Sequence, residues 1–159
     1  MLNSFPLNFD TAAIAAALGM SEASVTTLMT DGRTATPIIQ HHLLALNYGW
    51  TLVPVRGGSF DLEDPNGKRW KVKSATRQGI DFKPSVQIGF GRQANAQGFM
   101  AAWQAMAGFI VADVTTFPVA QVNLIPSANV VRWFRNGALP SDAKVGFSRY
   151  RDQLRPDIR

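Results

Sequence analysis

The chain has 159 residues, 46% of them hydrophobic and 17% charged, enough to bury one substantial core but cramped for two full domains. Sixteen Lys and Arg against eleven Asp and Glu leave a formal charge of +5, which favours a polyanionic partner. No cysteine is present, so disulfides and thiolate-ligated zinc are excluded, and the longest apolar run, around Phe99 to Ala112, is too short to span a bilayer; with no basic-then-apolar N-terminal signal, a soluble cytoplasmic protein is expected.

In chain order, Asp10 to Met29 reads as two helices. Ala-rich helix formers run to Gly19, which can take the left-handed conformation that ends a helix, and Ser21 caps the next. The pair resembles a helix-turn-helix: Ala15, Gly19 and Val25 fall at its small, turn and apolar positions, and Leu18 and Leu28 are expected in its core. Ser24, Thr26 and Thr27 then lie on the exposed part of the second helix, where DNA contacts are expected. A helical hairpin that only packs or dimerises fits the same pattern. Asp31-Gly32-Arg33 reads as a loop, and Pro37 opens a helix that Gly49 ends. Within it His41 and His42 are adjacent, so they cannot chelate one metal as an i, i+4 pair could.

Trp50 to Val55 reads as a strand, followed by the hairpin strands Phe60 to Asp64 and Arg69 to Thr76. Residues 77–92 mix four glycines and prolines with charges and read as an irregular loop or short strand. A helix from Asn95 to Ala107 places Phe99, Trp103 and Met106 on one core face. Two strands follow, then a short helix with Ser127 as cap, then a basic terminal strand around Lys144 to Arg151. Helices followed by strands with a helix inserted imply an α/β or α+β fold with a mixed central sheet flanked by helices.

The hairpin carries the chemistry. Asp64-Pro65-Asn66-Gly67 is turn chemistry, so strands flank it on both sides. Because side chains alternate along a strand, Asp61 and Glu63 share a face, Lys71 and Lys73 share a face of the partner, and the turn can bring the two together. Hydrolysis of a phosphodiester needs an activated water and neutralisation of the charge developing on phosphorus. Magnesium on one or two carboxylates, beside a lysine that orients the water, supplies both. Opposite charges pairing across an exposed ribbon are the plainer alternative.

These residues resemble the PD-(D/E)xK nucleases, most closely the small homodimeric, blunt-cutting Pvu-type restriction endonucleases. Their hairpin holds an Asp, nine intervening residues, then Glu-x-Lys-Ser. Asp61 takes the place of the first acid and Lys73-Ser74 match the end of the motif, while Lys71 stands where the second acid belongs. Either Glu63 replaces that acid, or Asp81-Phe82-Lys83 is the acid-x-lysine triplet after a longer gap. The resemblance covers 37–150 and implies a restriction-endonuclease-like domain over 34–159, with residues 1–33 as an N-terminal helical segment outside the match.

It further implies duplex DNA as partner, a homodimer in which each subunit cuts one strand, and Mg²⁺ held by Asp61 and Glu63. Lys73 would orient the water and Lys71 add a phosphate contact. Base reading is expected from Arg77, Gln78, Lys83, Gln87 and Arg92, and backbone contacts from the basic C-terminal residues, Arg149 and Arg151 among them. A relative with a decayed metal site, binding DNA without cutting it, is the other expectation.

Overall fold

The computed structural model describes residues 4–44, 49–53, 60–84 and 95–158. A six-stranded mixed sheet forms the centre, in the spatial order β1 (Ser4–Asn8), β7 (Val119–Pro126), β6 (Gly108–Asp113), β4 (Arg69–Ala75), β3 (Leu62–Glu63), β2 (Thr51–Leu52). All neighbours run antiparallel except β4 and β6, which are parallel and joined by a crossover through helix α4 (Ala96–Gln104). A two-stranded ribbon pairs β5 (Ile80–Asp81) with β8 (Lys144–Val145).

The period-2 alternation of β4 assigns the two layers. Trp70 and Val72 face one core with Leu62, Ile110, Ala112 and Val122, closed by Ala35 and Ile39 of helix α3 (Gly32–Leu44). Ala75 faces the other with Phe109, Val111 and Ile125, closed by α4, by helix α5 (Ser127–Arg135) and by the C-terminal segment. The expected core aromatics Phe99, Trp103 and Trp133 are buried. Their polar edges are satisfied: the indole of Trp103 donates to the Phe82 carbonyl at 2.9 Å and that of Trp133 to Asp157 at 2.8 Å. All six residues of β6 are buried, as a central strand covered on both faces requires.

Four elements differ from the sequence expectation. Strand β1 was not anticipated; Pro6 interrupts its pattern, and it survives because β1 is a sheet edge, where a missing amide proton is tolerated. Helix α3 begins at Gly32, not Pro37, with the Asp31 carboxylate accepting the Arg33 amide, so Pro37 lies inside it. Ser127 opens α5 but does not cap it; its hydroxyl donates to the Met106 carbonyl. The basic terminal strand is confined to Lys144–Val145. Beyond it the chain is helical from Phe147 to Asp157, and Tyr150 and Leu154, four residues apart, share its core-facing side.

The N-terminal helices α1 (Thr11–Leu18) and α2 (Glu22–Thr30) meet at a bend of 102°. Asp10 and Ser21 cap them, and Gly19 turns the corner at φ 63°. Their small core is Ala15, Val25 and Met29 against Phe9 and Phe117. Leu18 and Leu28, expected inside it, are instead 60% and 37% exposed, and Val25 and Met29 fill the core beside Ala15 in their place. No single helix among the described residues is long and apolar enough to cross a membrane.

Candidate functional site

The β3–β4 turn is locked by Asp64. Its carboxylate accepts the Asn66 and Lys68 amides at 2.9 and 3.0 Å and the Trp70 indole at 3.2 Å, while Gly67 takes φ 73°. Burial by itself raises the Asp64 carboxyl, but these hydrogen bonds outweigh it and hold the group below its ordinary value. Pairing of Leu62 with Trp70 and Glu63 with Arg69 then fixes which side chains meet.

Asp61 sits in the bend just before β3, and its carboxylate does two jobs. Oδ2 accepts the Val72 amide at 2.8 Å, taking the place of a ladder carbonyl, and Oδ1 accepts from Lys71 Nζ at 2.8 Å. Both side chains are largely shielded, at 20% and 12% exposure, so this pair is screened less than a surface one. Lys73 shares the Lys71 face. Its ammonium donates to the Lys83 carbonyl at 3.3 Å, and its pKa is lowered first by burial, with the Lys71 charge acting the same way and Asp81 and Asp61 opposing.

Asp61, Lys71 and Lys73 therefore converge, and Asp81 in β5 is drawn to the same neighbourhood. Glu63 is on that face but leans on Arg69 at 3.7 Å, with both side chains about half exposed. Arg69 in turn stacks over Phe60, 4.5 Å from the ring centre. In the triplet at Asp81 only Asp81 lies in a strand, β5, and Lys83 follows it. The Asp81 carboxylate accepts the Lys83 amide at 2.8 Å, and Phe82, bonded to the Ala143 carbonyl at 2.9 Å, is the last residue tied to the ribbon partner.

Mg²⁺ takes carboxylate oxygens and repels ammonium groups, each by a few kcal/mol at short range. Lys71 already occupies Asp61 Oδ1, Lys73 stands beside it, and Glu63 is turned to Arg69. No group of three or more His, Cys, Asp or Glu side chains able to hold a metal occurs among the described residues. As arranged, the side chains do not fit Mg²⁺: a built-in cation holds the place a metal would take.

The residues expected to contact DNA divide into three groups. Thr26 and Thr27 of α2 meet Arg77 and Gln78 of the turn after β4 across two adjoining clefts, which sequence distance had kept apart. Ser24 is elsewhere on α2, its hydroxyl 2.9 Å from that of Ser21 at the helix cap. Arg149 donates to the Gly137 carbonyl at 3.0 Å, and Arg151 forms a two-point pair with Asp152 at 2.6 and 2.9 Å, both on the C-terminal helix. Other basic residues of that third are also matched: Arg132 with Asp157 at 2.8 Å and Arg155 with Asp113 at 3.5 Å. Lys83 contributes its backbone to the Lys73 site, and Gln87 and Arg92 lie outside the described residues.

Sequence reasoning missed Asp64 as the lock of the hairpin and Arg33 as a wall of the first cleft. The Asp-Pro-Asn-Gly signal pointed to the former, since a carboxylate at the first turn position accepts amides two residues on. Nothing local pointed to the latter. Comparison of the chain with protein-family models, with characterised proteins and with solved structures finds no match in any of the three.

Proposed function

We propose that this chain is a DNA-binding protein of restriction-endonuclease-like fold that holds the phosphate backbone at the β3–β4 hairpin and does not cut it. The observation that carries the reading is Lys71 Nζ at 2.8 Å from Asp61. Asp61 is already tied to Lys71, and Lys73 stands beside it with Asp81 nearby, so this partly dehydrated ribbon end offers ammonium donors to a phosphodiester and no free carboxylate pair to a divalent ion. The fold assignment is supported by the hairpin itself and by its surroundings: a helix and a strand precede it and a strand pair follows, in the order the resemblance implies. The formal charge of +5 supports a polyanion as partner. A homodimer matching the two-fold symmetry of duplex DNA belongs to the same reading.

A second reading, a Mg²⁺-dependent endonuclease, is favoured by one observation. Lys73 shares a face with Asp61, and its lowered pKa suits a group that orients a water. Incubation of the protein with plasmid and Mg²⁺ or Mn²⁺, beside Asp61→Ala, separates the two. The expected outcome is a gel shift at low salt without strand breaks. Metal-dependent breaks that disappear in Asp61→Ala establish the enzyme instead, and no shift even at low salt overturns both.

A further inference from the structure

The turn that follows the hairpin strand builds a second basic feature. Thr76 and Gly79 bond to each other in both directions, at 3.2 and 2.9 Å, and Gly79 holds φ 108°. A Cβ there would lie 2.0 Å from the Val145 carbonyl oxygen, so the turn is pressed against the β5–β8 ribbon and cannot drift. On its other side Gly32 abuts Thr76 and Ser74, with an added Cβ at 3.0 and 3.3 Å, and the Thr36 and Ser74 hydroxyls are 2.7 Å apart. The α2–α3 corner is thereby clamped to the end of β4. Between corner and turn lie a cleft of about 640 Å³ and a neighbouring one of about 370 Å³, sharing Thr27, Thr30 and Gln78 as a common wall.

Arg33 lines the first cleft and Arg77 the second. Both are exposed, and neither guanidinium has a hydrogen-bond or ion-pair partner among the described residues. Two arginines face one acid, Asp31, whose carboxylate accepts the Arg33 amide. The hydroxyls of Thr27 and Thr30 give their protons to carbonyls of α2, and Gln78 Oε1 accepts from Thr76. The donors left for a ligand are the two guanidinium groups and the Gln78 amide. That set takes an anion with several acceptor oxygens, and each guanidinium fork suits a phosphate.

We infer that the double cleft is a phosphate-backbone seat for the same strand that the hairpin holds, an inference that rests on the DNA-binding reading. Arg77 lies four residues beyond Lys73, two in β4 and two in the turn, so their Cα atoms are at most about 13 Å apart, or about four base steps of one DNA strand along its axis. The helix pair then serves through its C-terminal corner rather than by laying a recognition helix in a groove, and recognition there is independent of sequence.

The test compares wild type, Arg33→Gln/Arg77→Gln and Lys71→Gln/Lys73→Gln for affinity to unrelated duplexes over a salt series. Because neither arginine has a partner among the described residues, the double variant should melt with wild type. Loss of two phosphate contacts lowers the slope of log K against log salt by about 2 and weakens binding about 60-fold at 0.1 M salt, equally on every duplex. An unchanged slope in a wild type that does bind overturns the seat, while a loss in the lysine variant keeps the hairpin reading. If wild type binds no duplex, the hairpin reading has failed by itself, and side-chain NMR of the arginines titrated with inorganic phosphate decides. Shifts confined to Arg33 and Arg77 retain a seat for free phosphate, and none removes it.

Discussion

At the scale of single residues the chemistry turns on which cation Asp61 holds. Because that carboxylate both ties Lys71 and terminates the strand ladder at Val72, Asp61→Asn should destabilise the protein by about 1–3 kcal/mol in urea denaturation. Lys71→Glu removes the internal cation and adds a ligand oxygen, so the variant should bind Mn²⁺ where wild type does not, measurable by calorimetry. Lys73 supplies a pH signature. Its folded pKa lies below its ordinary 10.5, so the folded protein releases that proton first, and stability rises with pH from the folded value up to 10.5. Lys73→Met should lack this rise in denaturation series taken between pH 7 and 10. Tyr150 acts oppositely: burial raises its phenol, and the loss it causes begins only as pH passes its ordinary 10.0.

At the scale of elements, two short segments aim the working side chains. The Thr76–Gly79 turn depends on Gly79, where a side chain would need both a positive φ and the space of a backbone carbonyl. Gly79→Ala should cost roughly 3 kcal/mol, read by thermal unfolding, and weaken DNA binding through the displaced turn. The helix pair depends on its caps; Ser21→Ala should cost about 1 kcal/mol by the same measurement. Both helices, the hairpin and its turn were legible because their signals are local: a left-handed glycine, a capping hydroxyl, an Asp-Pro-Asn-Gly run. Strand β1 and the C-terminal helix were not, since an edge proline and a basic, broken pattern lack local meaning until β7 and the core supply partners.

At the scale of the whole molecule, both cores share one sheet. Leu62→Ala on the α3 side and Trp103→Ala on the α4 side should each cost about 3–5 kcal/mol and shift one common transition, with near- and far-ultraviolet circular dichroism coinciding. Separate transitions would show that the layers unfold independently. Charge is also a property of the whole. Much of the C-terminal basic excess is paired with Asp113, Asp152 and Asp157, and Lys71 with Asp61, which leaves the exposed cleft arginines Arg33 and Arg77 as the clearer positive surface.

What the amino-acid order determined alone was everything set by near neighbours: the turn, the alternation that puts Asp61, Lys71 and Lys73 on one surface, the capped helices and the apolar faces. Tertiary structure decided the rest. Whether Lys71 faces solvent, phosphate or Asp61 depends on the bend before β3, and whether Arg33 and Arg77 act together depends on α3 packing across β4. Such meetings are fixed by the burial of two cores rather than by any pattern along the chain, because packing, unlike a turn or a cap, joins residues without regard to their separation in sequence.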